Sequence, residues 1–124
     1  MKITNGEAYD YARNLAPIVE NNELSLPLSV NYCIQKNYQM LENIAKDVDK
    51  LRDELIRKNG KLNEEGTQYI VPKEKMEKVS KELEDLLDVE NEVNIRYIHL
   101  EKLADDLIIP PAMLKSLMFM IGEE

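Results

Sequence analysis

The chain has 124 residues, a formal net charge of −8, 44% hydrophobic residues and 32% charged residues. A chain of this length most simply forms one domain, here residues 1–124, with a core that needs neither disulfides nor metals. The acidic balance argues against direct nucleic-acid binding, because proteins that bind nucleic acid usually carry a basic stripe. Cys33 is the only cysteine, which excludes a disulfide framework and favours a cytoplasmic location.

The sequence also argues against membrane association. Its first residues, "MKITNGEAYDYARN", lack an apolar signal core. No apolar run approaches the roughly 20 residues that a helix needs to span a bilayer. We therefore expect a protein that works away from the membrane.

The first predicted element is a helix that opens at "TNGE". Thr4 and Glu7 have the spacing of a capping box, and apolar residues then recur at helical intervals. Pro17 lies late in this run and removes one backbone hydrogen bond. We expect the helix to kink or to end early at that proline.

The longest predicted element is a helix from about Pro27 to Lys58, with Ser25 as its cap and Asn59-Gly60 as its end. Its apolar residues form a heptad seam of about four repeats, as in a coiled coil, with one polar interruption. The candidate interaction residues are the six at the centre of this seam: Ile34, Asn37, Leu41, Ile44, Val48 and Leu51.

The length of this helix bears on partners. At 1.5 Å per residue it is roughly 48 Å long, whereas a compact domain of this size is only about 35 Å across. We expect the helix to protrude, bend or break. The uncovered part of the seam packs either on the first helix or on a second copy, and the pattern alone leaves both open. Asn37 fits either case, as a residue that sets register or as an edge position.

Two short strands with a helix between them are predicted next. Residues 67–71 are β-branched and aromatic, and Pro72 separates them from the helical pattern "KEKMEKVSKELEDLL". In residues 92–99 the helical period fails and an alternating pattern fits, with Val93, Ile95 and Tyr97 on one side. We expect the two strands to pair, because an isolated strand leaves its backbone unsatisfied. The direction of pairing stays open.

The last element, "PPAMLKSLMFMIGEE", is predicted to be a short helix with Pro111 in its first turn and Gly122 at its end. The fold class is therefore α+β and predominantly helical. It combines a long helical hairpin, a small strand pair and a short C-terminal helix.

One acidic run stands out near the end of the third helix. Such a run is most often a solvated surface, but it also suits a face that mimics phosphates and occupies a basic groove on a partner. The residues of this acidic face are Glu82, Glu84, Asp85 and Asp88.

Other chemistry-bearing residues lack the partners that a reaction needs. His99 is the sole histidine, Cys33 fits a small buried hydrophobe, and the scattered glycines form no phosphate-binding loop. The six tyrosines suit core edges or a stacking pocket for a nucleotide base. We expect no enzyme, no catalytic residue, no metal and no cofactor. A hydrolase with an unobvious carboxylate site stays open as a third hypothesis.

Three segments resemble small accessory proteins of phage and prophage genomes: "ELIRKNGKLNEEGTQYIVP", "ELEDLLDVENEVNIRYI" and "IIPPAMLKSLMFMI". Many such proteins have unknown function, so the resemblance implies no site residue. It implies a location in the host cytoplasm or in the virion.

Taken together, these observations favour a non-enzymatic protein that acts through protein–protein contacts, as a homo-oligomer or on a host or phage protein. The alternative is an inhibitor of a host defence system. That inhibitor would act as an acidic mimic of nucleic acid or as a sponge for a nucleotide signal.

Overall fold

The computed structural model describes residues 1–21, 26–99 and 109–122 of the chain. Within these ranges the α-helices are α1 Asn5–Val19, α2 Leu28–Asn59, α3 Lys73–Leu87 and α4 Pro111–Leu117. A 3-10 turn, Met118–Met120, follows α4. The strands are β1 Lys2–Thr4, β2 Lys61–Leu62, β3 Tyr69–Ile70, β4 Glu90–Glu92, β5 Ile98–His99 and β6 Ile121–Gly122. The predicted class, α+β and predominantly helical, is confirmed.

The start of α1 has the predicted capping box. The Thr4 side chain accepts the Glu7 N–H at 3.0 Å, and the Glu7 carboxylate accepts the Thr4 N–H at 3.0 Å. Pro17 does not end the helix early, since α1 continues to Val19. Pro17 and Arg13 are both exposed, so the Arg13 carbonyl that loses its helical hydrogen bond can be hydrated.

The helix α2 is continuous over 32 residues. Pro27 stands immediately before it, Gly60 immediately after it, and the predicted cap Ser25 lies outside the described residues. The main apolar cluster reaches only to Ala45 along α2, so the last turns of the helix extend beyond this cluster. The cluster consists of Ile3, Ala8, Ala12, Leu15, Ile18, Val30, Ile34, Leu41, Ala45, Val93, Ile95, Ile98, Leu117 and Met120.

The predicted pairing of residues 67–71 with residues 92–99 is wrong. β3 pairs with β2 as an antiparallel hairpin, β4 pairs antiparallel with β1, and β5 pairs in parallel with β6. These partner strands have two or three residues each. Strands so short show no alternation in the sequence, and pattern reading therefore misses them.

Residues 93–97 connect β4 to β5 and alternate in burial. Val93 and Ile95 are buried while Asn94 and Arg96 are exposed, as the alternating pattern predicts. Tyr97 departs from the pattern, because 44% of it is exposed. The alternation therefore reports contact with the core rather than membership of a sheet.

Buried amides join the start of α1 to the end of α3. The Asn5 side chain donates to the Leu86 carbonyl at 2.8 Å, and its oxygen accepts from the Asn91 side chain at 2.7 Å. The Asn5 backbone N–H donates to the Val89 carbonyl at 2.9 Å. Because these groups are satisfied inside the protein, they fix α3 relative to α1.

Candidate functional site

The predicted seam of α2 lies mostly against the chain's own residues. Ile34, Leu41 and Val48 are almost fully buried, and Ile44 packs half-buried at the edge of the main cluster. Leu51, at the end of the seam, is 47% exposed. In this structure α1 and residues 93–98 cover the seam. From the sequence, a second copy of the chain was the other alternative for this role.

Asn37, the polar residue of the seam, has a role that the sequence did not indicate. Its side-chain amide donates to the Arg96 carbonyl at 2.9 Å, and its side-chain oxygen accepts the Arg96 N–H at 2.9 Å. Only 1% of Asn37 is exposed. The residue therefore binds residues 93–97 to α2 and is not available to a partner.

A shallow groove of about 290 Å³ runs between α1 and α2. Alanines line it, and Tyr9 and Tyr38 are the two tyrosines beside it. Lys46 lies 2.7 Å from the Glu42 carboxylate, and Arg13 lies 2.9 Å from the Asp10 carboxylate. Since both of these cations are paired, a nucleotide phosphate would have to displace a carboxylate to bind there.

Side chains near the rim of the groove form hydrogen bonds with one another at two places. A hydrogen bond with Glu42 raises the pKa of Tyr38, and hydrogen bonds from Lys46 and then Tyr38 lower the pKa of Glu42. Farther along α2, a hydrogen bond with Tyr9 raises the pKa of Arg52. Of these contacts, the one between Tyr9 and Arg52 joins α1 to α2.

The end of the molecule formed by residues 51–76, which we call the hairpin end, exposes apolar side chains. Leu62 and Tyr69 are cross-strand partners, so their side chains share one face of the hairpin. Ile70 pairs with Lys61 and lies on the other face. Leu62 and Ile70 are 55% and 58% exposed. Both faces of the hairpin therefore offer apolar surface that the rest of the chain leaves uncovered.

Local sequence explains why the hairpin folds back on α2. Asn63 accepts the Thr67 N–H at 2.9 Å with its side-chain oxygen, and its backbone N–H donates to Gln68 at 2.8 Å. Gly66 adopts the left-handed conformation, with φ of 71°. At Gly60 a Cβ would come within 2.7 Å of the Ile56 carbonyl oxygen. Glycine thus allows the close return of the chain.

Charge is unevenly distributed around this end. Residues 50–81 contain nine of the sixteen Lys and Arg residues but only six of the twenty-four Asp and Glu residues. Residues 82–92 contain six acidic residues and no basic one. The hairpin end with the first half of α3 is therefore net positive, and the stretch that follows is strongly negative.

The acidic face predicted from the sequence is exposed. Glu82, Glu84, Asp85 and Asp88 all lie on the solvent side of α3 or at its end. Across the described residues, the ion pairs involve other parts of the chain and leave these four carboxylates unpaired. The structure thus makes them accessible, and their function stays a prediction.

The remaining candidates show no assembled chemistry. Cys33 is half-buried, with its sulfur 4.0 Å from the Tyr97 carbonyl oxygen, and His99 is half-buried in β5. Among residues 1–21, 26–99 and 109–122, no three His, Cys, Asp or Glu side chains are grouped to hold a metal ion. In the same ranges no helix combines the length and the apolar character that crossing a membrane requires.

Comparison with family models, with curated proteins and with solved structures finds no match for the chain. The likeness to small phage proteins therefore stays a prediction.

Proposed function

We propose that this protein is a non-enzymatic module that acts through protein–protein contact, and that it binds a second copy of itself. One observation carries the proposal. Leu62, Ile70 and Met76, which lie close together in the chain, are each more than half exposed. Grouped exposed apolar side chains of this kind are typical of protein–protein interaction sites.

The hairpin end is the best-supported contact surface. Its exposed Leu62, Tyr69, Ile70 and Met76 include the aromatic and methionine side chains that are enriched at interface centres. The seam of α2 is a poorer surface, because Asn37, Leu41 and their buried neighbours would have to leave the core to reach a partner.

Self-association is tested by light scattering coupled to size exclusion over a wide range of protein concentration. We expect a mass above 14.4 kDa that rises with concentration. Tyr69→Asp at the hairpin end should shift the chain toward monomer, while Leu28→Asp, at a site 86% exposed and distant in the fold, should not. A constant monomer mass at every concentration would refute the proposal.

The second candidate function is inhibition of a host defence protein by the acidic face. It is favoured by the six acidic residues of 82–92, which are not interrupted by any basic residue. Replacing Glu84, Asp85 and Asp88 by Lys should then abolish inhibition of a nucleic-acid-binding target. A nucleotide sponge would instead carry several hundred daltons of bound ligand per chain into native mass spectrometry, and would keep it in the lysine variant.

A further inference from the structure

The helix α3 carries a strip of six charged residues in a regular order. Three lysines recur at every third residue, and three carboxylates then recur at every third residue: Lys75, Lys78, Lys81, Glu82, Asp85 and Asp88. At about 100° per residue these positions fall within a sector of roughly 140° on one side of the helix, which also contains Glu74 beside Lys75. All six are exposed. We call them the charged strip.

None of the ion pairs in the described part of the chain involves the charged strip, although Lys78 and Lys81 each have an acid of the strip four residues later, at the spacing of helical neighbours. Its polarity also opposes the helix dipole. Lys75 lies in the first turn of α3, and Asp85 and Asp88 lie at its end, whereas a helix is stabilised by acids at its start and bases at its end. The charges of the strip at the two ends of α3 therefore do not complement its dipole, and the favourable charge in the first turn comes from Glu74, which is not a member of the strip.

We propose that a second copy of the chain docks on the charged strip, with the two α3 helices antiparallel about a twofold axis. In this register Lys75, Lys78 and Lys81 lie opposite Asp88, Asp85 and Glu82 of the second copy. The twofold axis repeats each pair, as in the isologous interfaces of most dimers. The inference rests on the proposed self-association and names its surface.

The charge pattern of the strip itself favours a second copy of the chain as the binding partner. Three bases followed by three acids at equal spacing become complementary to themselves when the direction is reversed. A parallel alignment in register would place like charges opposite each other, which is unfavourable. A foreign partner would need the same spacing by coincidence, whereas a second copy has it by identity.

Ion pairs between exposed residues contribute little each, so the interface also needs apolar contact. The antiparallel arrangement supplies it at both ends. The hairpin precedes α3 and Val89 follows it, so Tyr69 and Ile70 of one copy lie beside the Val89 end of the other. Val89 is 51% exposed, and Met1, beside the same end through the β1–β4 pair, is 43% exposed.

The test uses two charge-reversed forms of the full chain. The acidic form carries Lys75→Glu, Lys78→Glu and Lys81→Glu, and the basic form carries Glu82→Lys, Asp85→Lys and Asp88→Lys. Each alone should bind itself at least tenfold more weakly than the original chain. An equimolar mixture should recover dimers of mixed composition, because every reversed charge then faces an opposite one. With one of the two forms uniformly labelled with ¹⁵N, native mass spectrometry distinguishes the mixed dimer by its mass.

A matched control separates the charged strip from total charge. Lys36→Glu, Lys50→Glu and Lys115→Glu change three exposed residues of α2 and α4 that lie outside both the hairpin end and α3, alter the net charge as the acidic form does, and should leave self-association within about twofold of the original. Circular dichroism should show all forms folded. Added salt should weaken the original dimer and the mixed dimer alike.

The outcomes separate this inference from the function on which it rests. If the original chain self-associates and either reversed form does so equally well, the charged strip is not the interface and self-association stands. If both reversed forms are folded monomers but their mixture fails to dimerise, the antiparallel register is wrong. If the original chain is monomeric at every concentration, the proposed self-association falls and this inference falls with it.

Discussion

Asn37 makes with Arg96 the two backbone hydrogen bonds that a neighbouring β-strand would make. Its side-chain amide donates to the Arg96 carbonyl and its side-chain oxygen accepts the Arg96 N–H, both at 2.9 Å. In an antiparallel sheet a residue of the next strand exchanges this pair of bonds. Here a helix side chain does so, and residues 93–97 therefore lie on a helix instead of in a sheet.

We expect Asn37→Ala to lower the free energy of unfolding by about 2–4 kcal/mol, because it leaves a buried backbone donor and acceptor unpaired. The measurement is urea denaturation followed by circular dichroism. Asn43→Ala changes an exposed asparagine of the same helix and should stay within about 0.5 kcal/mol of the original. Equal losses in the two variants would show that the Asn37–Arg96 contact contributes nothing beyond helix propensity.

Gly60→Ala should destabilise the hairpin end. The added Cβ would lie 2.7 Å from the Ile56 carbonyl oxygen and 3.2 Å from that of Ile70, so α2 and the hairpin must separate at a cost of about 1–3 kcal/mol. Amide exchange should accelerate at Asn63 and Gly66, whose N–H groups close the hairpin loop. Gly6→Ala is the control, because its Cβ meets its nearest neighbour at 3.4 Å.

Alkaline pH should selectively weaken the contact between Tyr38 and Glu42. The hydrogen bond with Glu42, then burial, raise the pKa of Tyr38 above its ordinary value. A group whose pKa is higher in the folded state contributes stability that is complete below the unfolded pKa, near 10, and is lost as pH rises through the folded pKa. Tyr38→Phe should therefore reduce the loss of stability between neutral and strongly alkaline pH, measured as the urea midpoint.

At acid pH the same contact is weakened through Glu42, and the stability it contributes depends on pH in the opposite direction. Hydrogen bonds from Lys46 and Tyr38 lower the pKa of Glu42, so its contribution is present above the unfolded pKa and disappears as pH falls through the folded pKa. Glu42→Gln should flatten the acid limb of the stability profile. It should also lower the pKa of Tyr38, which NMR titration of the tyrosine ring reports directly. An unchanged Tyr38 titration would contradict the hydrogen bond.

The stacked pair of Tyr11 and Phe119 joins α1 to the C-terminal turn, with ring centroids 4.2 Å apart and planes within 8° of parallel. A double-mutant cycle with Tyr11→Leu and Phe119→Leu should give a coupling free energy of about 0.5–1.5 kcal/mol. Tyr69 in the hairpin is the control, because the same cycle between Tyr69 and Phe119 should show no coupling above error.

Periodic and capped elements of this fold were predictable from sequence. The Thr4–Glu7 capping box, the long helix and the span of α3 depend on residues close together in the chain, and the structure confirms them. Strand pairing was not predictable, since it depends on fragments such as β6 that have two residues. A pattern of two residues carries no period.

Only part of the candidate interaction surface could be predicted from the sequence. A heptad pattern reports that Ile34 and Leu41 are buried but not whether the cover comes from α1 or from another chain. The acidic half of the charged strip is visible as a run of carboxylates. Its basic half, interleaved with Glu74 and Glu77, becomes recognisable once α3 is known to be an exposed helix and its sides can be compared.

The late position of residues 93–98 in the chain has a consequence for synthesis. α1 and α2 can pack together while the ribosome is still adding α3. Asn37 and Ile34, however, remain exposed to solvent until Arg96 and Ile98 emerge from the ribosome. The nascent helix pair therefore exposes the same heptad seam that the finished protein conceals. During that interval a neighbouring nascent chain can compete for it, and domain swapping through this seam is the misassembly that overexpression should favour.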